Sequence, residues 1–334
     1  MAYIKLNREN LFYNLNQLVL KCGQKEKFCA VLKDNAYGHG LEQIAKLVSE
    51  YGISEAMVIN NQEALKIRNL FKNILILNDT PTITPNFSYA ITELNKLNSI
   101  PVNVRVELKV DTGMHRNGIS LSELSEALDI VKKRGLFLVG IFTHYKGADE
   151  LDTTLAWQMQ NFETVKQIAR EKGFKHIRFH SHNSAALLRS SDFSESLARV
   201  GIAMYGFNEL PKVYDPIKLK PVLSLWATKE SMRELQKGQR VGYGGDFIAP
   251  KKMIVSTYNV GYGDGLFRGD SKNPLTTASG LPILGRVSMD FISLESTREE
   301  ICIFDNAQEV AKHFKTISYE ITTSLKANIE RVII

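Results

Sequence analysis

The sequence predicts an α/β fold, a (β/α)8 TIM barrel in the N-terminal part followed by a mostly-β C-terminal domain. Three observations lead there. Between Phe28 and Gly206, short apolar runs alternate with amphipathic stretches at helical spacing, a pattern that implies parallel strands joined by helical crossovers. The runs number about eight, enough to close a barrel. After Pro221 the long helical patterns stop, and strand-like runs joined by glycine-rich turns take over.

In chain order, AYIKL (2–6) reads as a strand leading into a helix over 7–22; it is expected to join the second domain. The barrel strands are expected in FCAVLK (28–33), EAMVIN (55–60), NILILND (73–79), YAITE (89–93), VNVRVELKVD (102–111), LFLVGIFTH (136–144), HIRFH (176–180) and ARVGIAMYG (198–206). Helices are expected over 40–52, 120–135 and 154–173, the last two ending at Gly135 and Gly173. A doubly wound open sheet is the alternative, but no G-x-G-x-x-G turn supports it. Pro211, Pro216 and Pro221 cluster at the junction, so the domains are expected at 7–215 and 216–334, with 2–6 in the second. There VLSLWATK, QRVGYGGDFIA, MIVSTYNVGYG, LPILGRVSMDFISL and ICIFD read as strands, and SYEITTSLKANI as a helix near the end.

Composition removes several function classes. With 334 residues, 44% hydrophobic and 23% charged, the chain is an ordinary globular one of about two domains. No apolar run reaches the roughly 18 residues of a membrane span, and MAYIKLNREN lacks the apolar core of a secretory signal. Three cysteines (Cys22, Cys29, Cys302) without a CxxC pair argue against a disulfide framework or a cysteine zinc site. A cytoplasmic protein without a metal, a membrane or a nucleic-acid partner is expected. The net charge of +6 is dispersed, and its densest stretch, Lys132-Lys133-Arg134, sits at a helix C-terminus beside Gly135, where cations complement the dipole. A small anionic ligand such as a phosphate suits that balance.

The segment AVLKDNAYGHG (30–40) carries the strongest chemical signal. It puts Lys33 at the C-terminal end of a buried strand, the end on which barrel enzymes build their sites. Burying an ammonium without a partner is costly, and the same burial lowers its pKa and makes the amine a nucleophile. A surface lysine at a strand end is the other reading, and residue physics alone leaves both open. Tyr37 and Gly38 follow in a loop over the barrel mouth. Further polar segments are ELKVDTGMHRNG (107–118), GIFTHY (140–145), HSHNSAA (180–186), VGYGGDF (241–247), VGYGDG (260–265), GRVSMD (285–290) and SYE (318–320).

Taken together, these segments and ARVGIAMYG resemble the alanine racemases, fold-type III enzymes dependent on pyridoxal 5'-phosphate. The resemblance runs from about residue 2 to 320. It implies that Lys33 holds the cofactor and is one of two acid/base groups at the substrate α-carbon. Arg116 would grip the substrate carboxylate with its guanidinium fork. Lys109 falls where relatives often carry a carbamylated lysine that orients this arginine. His144 would lie near the cofactor ring and His180 in the network behind it. The phosphate would be met by Ser184, Tyr319 and the backbone N–H groups of Gly201 and Ile202, and Tyr37 would donate its hydroxyl to the cofactor. Arg199 would face the pyridine nitrogen. Because arginine can only donate, that nitrogen stays unprotonated; an aspartate would instead hold a pyridinium.

The second base implied is Tyr243, with Tyr262 as the other tyrosine of the family's motifs. Gly242 and Asp246-Phe247 depart from the family pattern around Tyr243, which makes Tyr262 a rival. A free phenol has a pKa of about 10 and needs cationic neighbours to act near neutrality. Met289 would place its backbone near the substrate carboxylate, with Asp290 supporting; Ser288 stands where cysteine is common. His115 and Asp34 are less usual choices. The resemblance further implies a head-to-tail homodimer in which Lys33 and Tyr243 of one site come from different chains. The activity implied is interconversion of L- and D-alanine, supplying D-alanine for peptidoglycan. Alternatives are a broader racemase acting on serine or other residues, a barrel decarboxylase, and a non-catalytic pyridoxal-phosphate-binding protein. The decarboxylases' glycine-rich phosphate loop and Cys-Asp pair are not found, and residues 221–334 argue against the barrel-only carrier.

Overall fold

The structure, a computed structural model, describes residues 1–214 and 217–334; the boundary expected between residues 215 and 216, and Pro216 with it, lies outside the described residues. The chain forms two compact units, Phe12–Ala36 with Ile44–Leu219, and Met1–Leu11 with Tyr37–Gln43 and Lys220–Ile334.

The first unit is the barrel. Its strands are β2 (Phe28–Val31), β3 (Glu55–Val58), β4 (Asn73–Ile76), β5 (Phe87–Ile91), β6 (Arg105–Asp111), β8 (Phe137–Phe142), β9 (Arg178–His180) and β10 (Ala198–Val200). They pair in parallel in the order β10-β2-β3-β4-β5-β6-β8-β9, with a short β7 (Ile119–Ser120) beside β6. Parallel strands are covered on both faces, and β2 and β3 are buried at every position. Between β9 and β10, loop bonds close the gap: Ser196 N–H donates to the Phe179 carbonyl at 3.1 Å and Arg199 N–H to the His182 carbonyl at 2.9 Å. The result is a nearly closed eight-stranded parallel barrel.

The crossovers are α3 (Leu41–Tyr51), α4 (Asn61–Ile67), α5 (Leu124–Arg134), α6 (Thr154–Glu171) and α7 (Ser184–Arg189), after α1 (Arg8–Cys22). Asn60 and Asn183 cap α4 and α7 by accepting the N–H of Glu63 and Ala186, and Gly135 ends α5 in the left-handed region at φ 62°. The segment α2 (Lys33–Tyr37) is different: Asp34, Asn35, Ala36 and Tyr37 all have φ between 52° and 55°. This is one left-handed turn of non-glycine residues, costing roughly 1–2 kcal/mol each. It is held by Ala36 N–H to the Leu32 carbonyl (2.8 Å) and Asn35 N–H to Glu63 Oε1 (2.9 Å).

The second unit is built on one long strand, β11 (Leu223–Leu235), whose bulges near Trp226 and Lys229 let it serve several partners. Those partners and their neighbours are β1 (Ala2–Leu6), β14 (Met253–Tyr258), β15 (Ile292–Leu294), β16 (Glu300–Phe304) and β17 (Glu330–Ile333). The sheet order is β15-β14-β11-β1-β17, with β16 also on β11. β1 runs antiparallel to β11 from Ala2 opposite Ala227 to Leu6 opposite Leu223, and parallel to β17. A small ribbon pairs β12 (Arg240–Val241) with β13 (Phe247–Ile248). Two helices, α8 (Ala307–Phe314) and α9 (Ser318–Thr323), complete the unit.

Some expectations differ here. LPILGRVSMDFISL is not one strand: only Ile292–Leu294 is extended, because Gly285 turns the chain at φ 74° and the carbonyls of Ser288 and Met289 are taken by a neighbouring turn. The helix expected through 318–329 stops at Thr323. α8 and β17 were not read from the sequence; both are short, and β17 is stabilised by its pairing with β1 rather than by pattern. Among the described residues no helix is long and apolar enough to cross a membrane.

Candidate active site

Strand periodicity builds the barrel's polar interior. Along β6, Glu107, Lys109 and Asp111 alternate with the fully buried Leu108 and Val110, so the three charged groups share one face. On β9, Arg178 and His180 flank Phe179 in the same way, and Arg199 is the middle residue of β10.

At or just past the C-terminal ends of β2, β6, β8 and β9 stand Lys33, Lys109, Arg116, His144, His180 and Ser184, and Arg199 of β10 is bonded to His180. Burial, and then the positive charges of Arg199, Arg116, Lys109 and Lys33, pull the His144 imidazole down to about 3, so the ring is neutral. Burial, with Arg116 and Arg199 nearby, likewise pulls the Lys109 ammonium down to about 8. Lys109 Nζ donates to Asn117 Oδ1. The loop that presents Arg116 is folded by Asp111, whose Oδ1 accepts the N–H groups of Gly113, Met114 and His115 at 2.8, 2.9 and 3.2 Å. Four cations thus raise the positive potential at a neutral histidine, which makes the strand ends favourable to anions.

Arg199 is the most constrained of them. Its Nη1 donates to His180 Nδ1 and to the His180 carbonyl, both at 2.9 Å, and its Nη2 donates to the carbonyls of Thr143 (2.5 Å) and Ser181 (3.0 Å). These bonds leave Nε–H uncommitted among the described residues. A fixed donor that cannot accept is the partner an unprotonated ring nitrogen needs. Ser184 opens α7, and its Oγ accepts the N–H of Gly201 (3.1 Å) and of Ala203 (3.4 Å). That brings the Ser184 hydroxyl together with the Gly201–Ile202 backbone, and its O–H remains available to an oxyanion. The donor set therefore fits a phosphate-bearing heteroaromatic group such as pyridoxal phosphate.

Of the two readings left open for Lys33, its surroundings favour neither extreme: its side chain is one-third exposed and its Nζ donates to Asp34 Oδ2 at 2.7 Å. The left-handed turn immediately after β2 swings Asp34 alongside the amine.

In the second unit the rings of Tyr37 and Tyr319 lie 5.7 Å apart, and a Cβ at Gly38 would come within 1.8 Å of the Thr322 carbonyl oxygen. The loop after Tyr37 is therefore packed on α9 through a position only glycine can fill. The Tyr262 turn is bound to the segment holding Met289: Tyr262 N–H donates to the Ser288 carbonyl (3.1 Å) and Gly263 N–H to that of Met289 (2.8 Å). A Cβ on Gly261 would meet the Met289 oxygen at 2.1 Å. Asp290 is exposed. Tyr243 sits in a turn with Gly242, Gly244 and Gly245 at positive φ, beside the Arg286–Asp246 ion pair (2.6 Å), and its side chain is 67% exposed.

Sequence reading overlooked the groups behind Arg199. Glu107 Oε2 lies 2.7 Å from His180 Nε2, and its Oε1 accepts from Ser88 Oγ (2.8 Å) and Arg178 Nη2. Arg178 Nη1 also donates to Glu55 Oε2 at 2.8 Å. Glu195 holds Ser181 and His182 from the other side. The available signal was a carboxylate inside an apolar strand run, VELKV.

A family model described as the alanine racemase N-terminal domain matches residues 6–209, and one described as the C-terminal domain matches 222–333. An alanine racemase of a Nitratiruptor species is 47% identical over 335 residues, covering 99% of each chain. The solved alanine racemase of Clostridium difficile 630 has a TM-score of 0.90 at 26% identity, over 100% of this chain and 95% of that one. That of Bacillus anthracis with bound L-Ala-P has a TM-score of 0.89 at 26% identity, with the same coverage.

Proposed function

The chain belongs to the alanine racemase family, which depends on pyridoxal phosphate, and from that premise we propose that it interconverts L- and D-alanine by a two-base mechanism. The observation that carries the reading is Arg199, whose guanidinium is fixed by hydrogen bonds to His180, Thr143 and Ser181, two residues from the Gly201 N–H that binds Ser184 Oγ, with Lys33, Lys109 and Arg116 adding positive charge at His144. Such a site attracts both a phosphate and an amino-acid carboxylate.

Pyridoxal phosphate, when bound, supplies an electron sink that makes the substrate α-proton acidic. The chain does the rest. Lys33 anchors the cofactor. Ser184, Tyr319 and the Ile202 N–H would meet its phosphate, the Gly201 N–H being spent on Ser184 Oγ; Tyr37 would offer its hydroxyl to the cofactor, Arg199 Nε–H would face the ring nitrogen, and His144 would lie near the ring. Arg116 holds the substrate carboxylate with the backbone of Met289, and Lys109 would orient it once carbamylation turns that donor into an acceptor; Asp290 and Tyr262 support that side. Lys33 and Tyr243 act on opposite faces of the α-carbon: one takes the proton as the other returns it. A guanidinium at the ring nitrogen keeps that nitrogen an acceptor, which weakens the sink and favours return of the proton over side reactions.

Tyr243 is the base of choice and also a conspicuously exposed ring, in a unit that also exposes Ile248, Met289 and Phe291. Excluding water strengthens the electrostatics of a site and suppresses side reactions. We infer that a second copy of the chain covers this surface in a head-to-tail homodimer with two shared sites. Supplying D-alanine for peptidoglycan in the cytoplasm is the role that suits this activity.

The test is incubation of the holoenzyme with L-alanine in heavy water. D-alanine carrying α-deuterium, and a cofactor bond at Lys33 that borohydride traps, are expected. Deuterium exchange without inversion, or loss of carbon dioxide, refutes the proposal. Better turnover with serine than with alanine selects the broader racemase.

A further inference from the structure

We propose that Glu107 is a positioning residue for Arg199: it fixes His180 in the tautomer that lets the imidazole receive the guanidinium, and so aims Arg199 at the site. The inference rests on the functional reading above only for what Arg199 meets.

The argument is one of donors and acceptors. Arg199 Nη1 stands 2.9 Å from His180 Nδ1. Guanidinium nitrogens only donate, so Nδ1 must accept and cannot carry a proton. In a neutral ring the proton then sits on Nε2, which faces Glu107 Oε2 at 2.7 Å. Glu107 is wholly buried, and its other oxygen takes Ser88 Oγ at 2.8 Å and Arg178 Nη2. Every neighbour of the carboxylate donates, which is the environment an acceptor-only, ionised group requires. His180 is held in plane by Phe142, whose ring stacks on it at 5.0 Å and 7°. The line therefore runs Arg178 to Glu107 to His180 to Arg199, with each proton assigned.

Replacing Glu107 by glutamine breaks that assignment while keeping shape. The Gln oxygen is claimed by Arg178 and Ser88, so its NH2 faces His180 Nε2. The ring must then accept there and carry its proton on Nδ1, donor against donor with Arg199.

The experiment is 15N NMR of histidine-labelled holoenzyme without substrate, with the His180 resonances assigned among the seven histidines from a His180→Asn variant. Wild type should show an unprotonated Nδ1 and a protonated Nε2. Glu107→Gln should reverse the two and lower kcat on the order of 10–100-fold, the usual effect of an outer partner, with KM for alanine little changed. Glu107→Asp should restore the wild-type tautomer. A wild-type His180 protonated on Nδ1, or a Glu107→Gln protein that keeps the Nε2–H tautomer, overturns the proposal. The wild-type spectrum decides the matter even if Glu107→Gln does not fold. Absence of racemisation by wild type would sink the functional reading instead, leaving the tautomer result standing.

Discussion

Arg178→Met tests the ionic interior of the barrel most directly. Methionine keeps the apolar stem and removes the guanidinium that pairs with Glu55 and Glu107. Both carboxylates stay buried without their cation. Breaking a buried pair from one side costs about 3–5 kcal/mol. Unfolding entropy of roughly 2.1 cal/mol/K per residue, over 334 residues, converts that to a Tm drop of about 4–7 °C at pH 7. The sign of the pH dependence follows from Glu107. Burial works to raise its pKa, but the Arg178 charge and the hydrogen bonds from His180 and Arg178 hold it below the ordinary 4.5. In wild type its contribution is therefore intact above pH 4.5 and is lost only on further acidification. In the variant burial dominates and the folded pKa rises above 4.5, so the folded state takes up protons as pH falls from 7 toward 5. The stability gap between the two proteins must then narrow, by at most about 1.4 kcal/mol per pH unit. Thermal melts by circular dichroism at pH 7, 6 and 5 measure it. A gap under about 1 °C at pH 7, or one of equal size at pH 5, refutes the assignment of Arg178 as counter-ion.

Three further outcomes are expected. Lys109, pulled down to about 8 from 10.5 by burial and neighbouring arginines, is less readily charged in the folded state; stability of wild type relative to Lys109→Met should therefore climb between pH 8 and 10.5, and a flat difference in denaturant melts contradicts this. Gly261→Ala puts a methyl 2.1 Å from the Met289 oxygen and should cost about 1–3 kcal/mol, seen as a lower urea midpoint, whereas an unchanged midpoint means the turn relaxes freely. Tyr243→Phe should abolish most racemisation while leaving the cofactor's visible absorption intact, and Tyr262→Phe should retain more activity; the reverse order reassigns the base.

Much of the architecture was legible along the chain because strand and helix periods are local properties. The eight apolar runs became eight parallel strands, and the helices over 41–51, 124–134 and 154–171 lie within the stretches expected. Motif order pointed to the candidate residues for the same reason: Lys33, Ser184 and Arg199 stand at or beside strand ends. The errors came where conformation is imposed from elsewhere. The 282–294 run is broken by carbonyls committed to the Tyr262 turn, and β17 exists through its partner β1.

Sequence by itself determined the alternation of strand and helix and the chemical identity of the candidate groups, since hydrophobic period and side-chain type reside in consecutive residues. Folding decided what those groups are. Only the closed sheet sets Glu107 against His180 across 73 positions of chain, crowds four cations around His144 and turns Asp34 onto Lys33. Charge state and proton position depend on neighbours brought from distant segments, and no one-dimensional pattern encodes those distances.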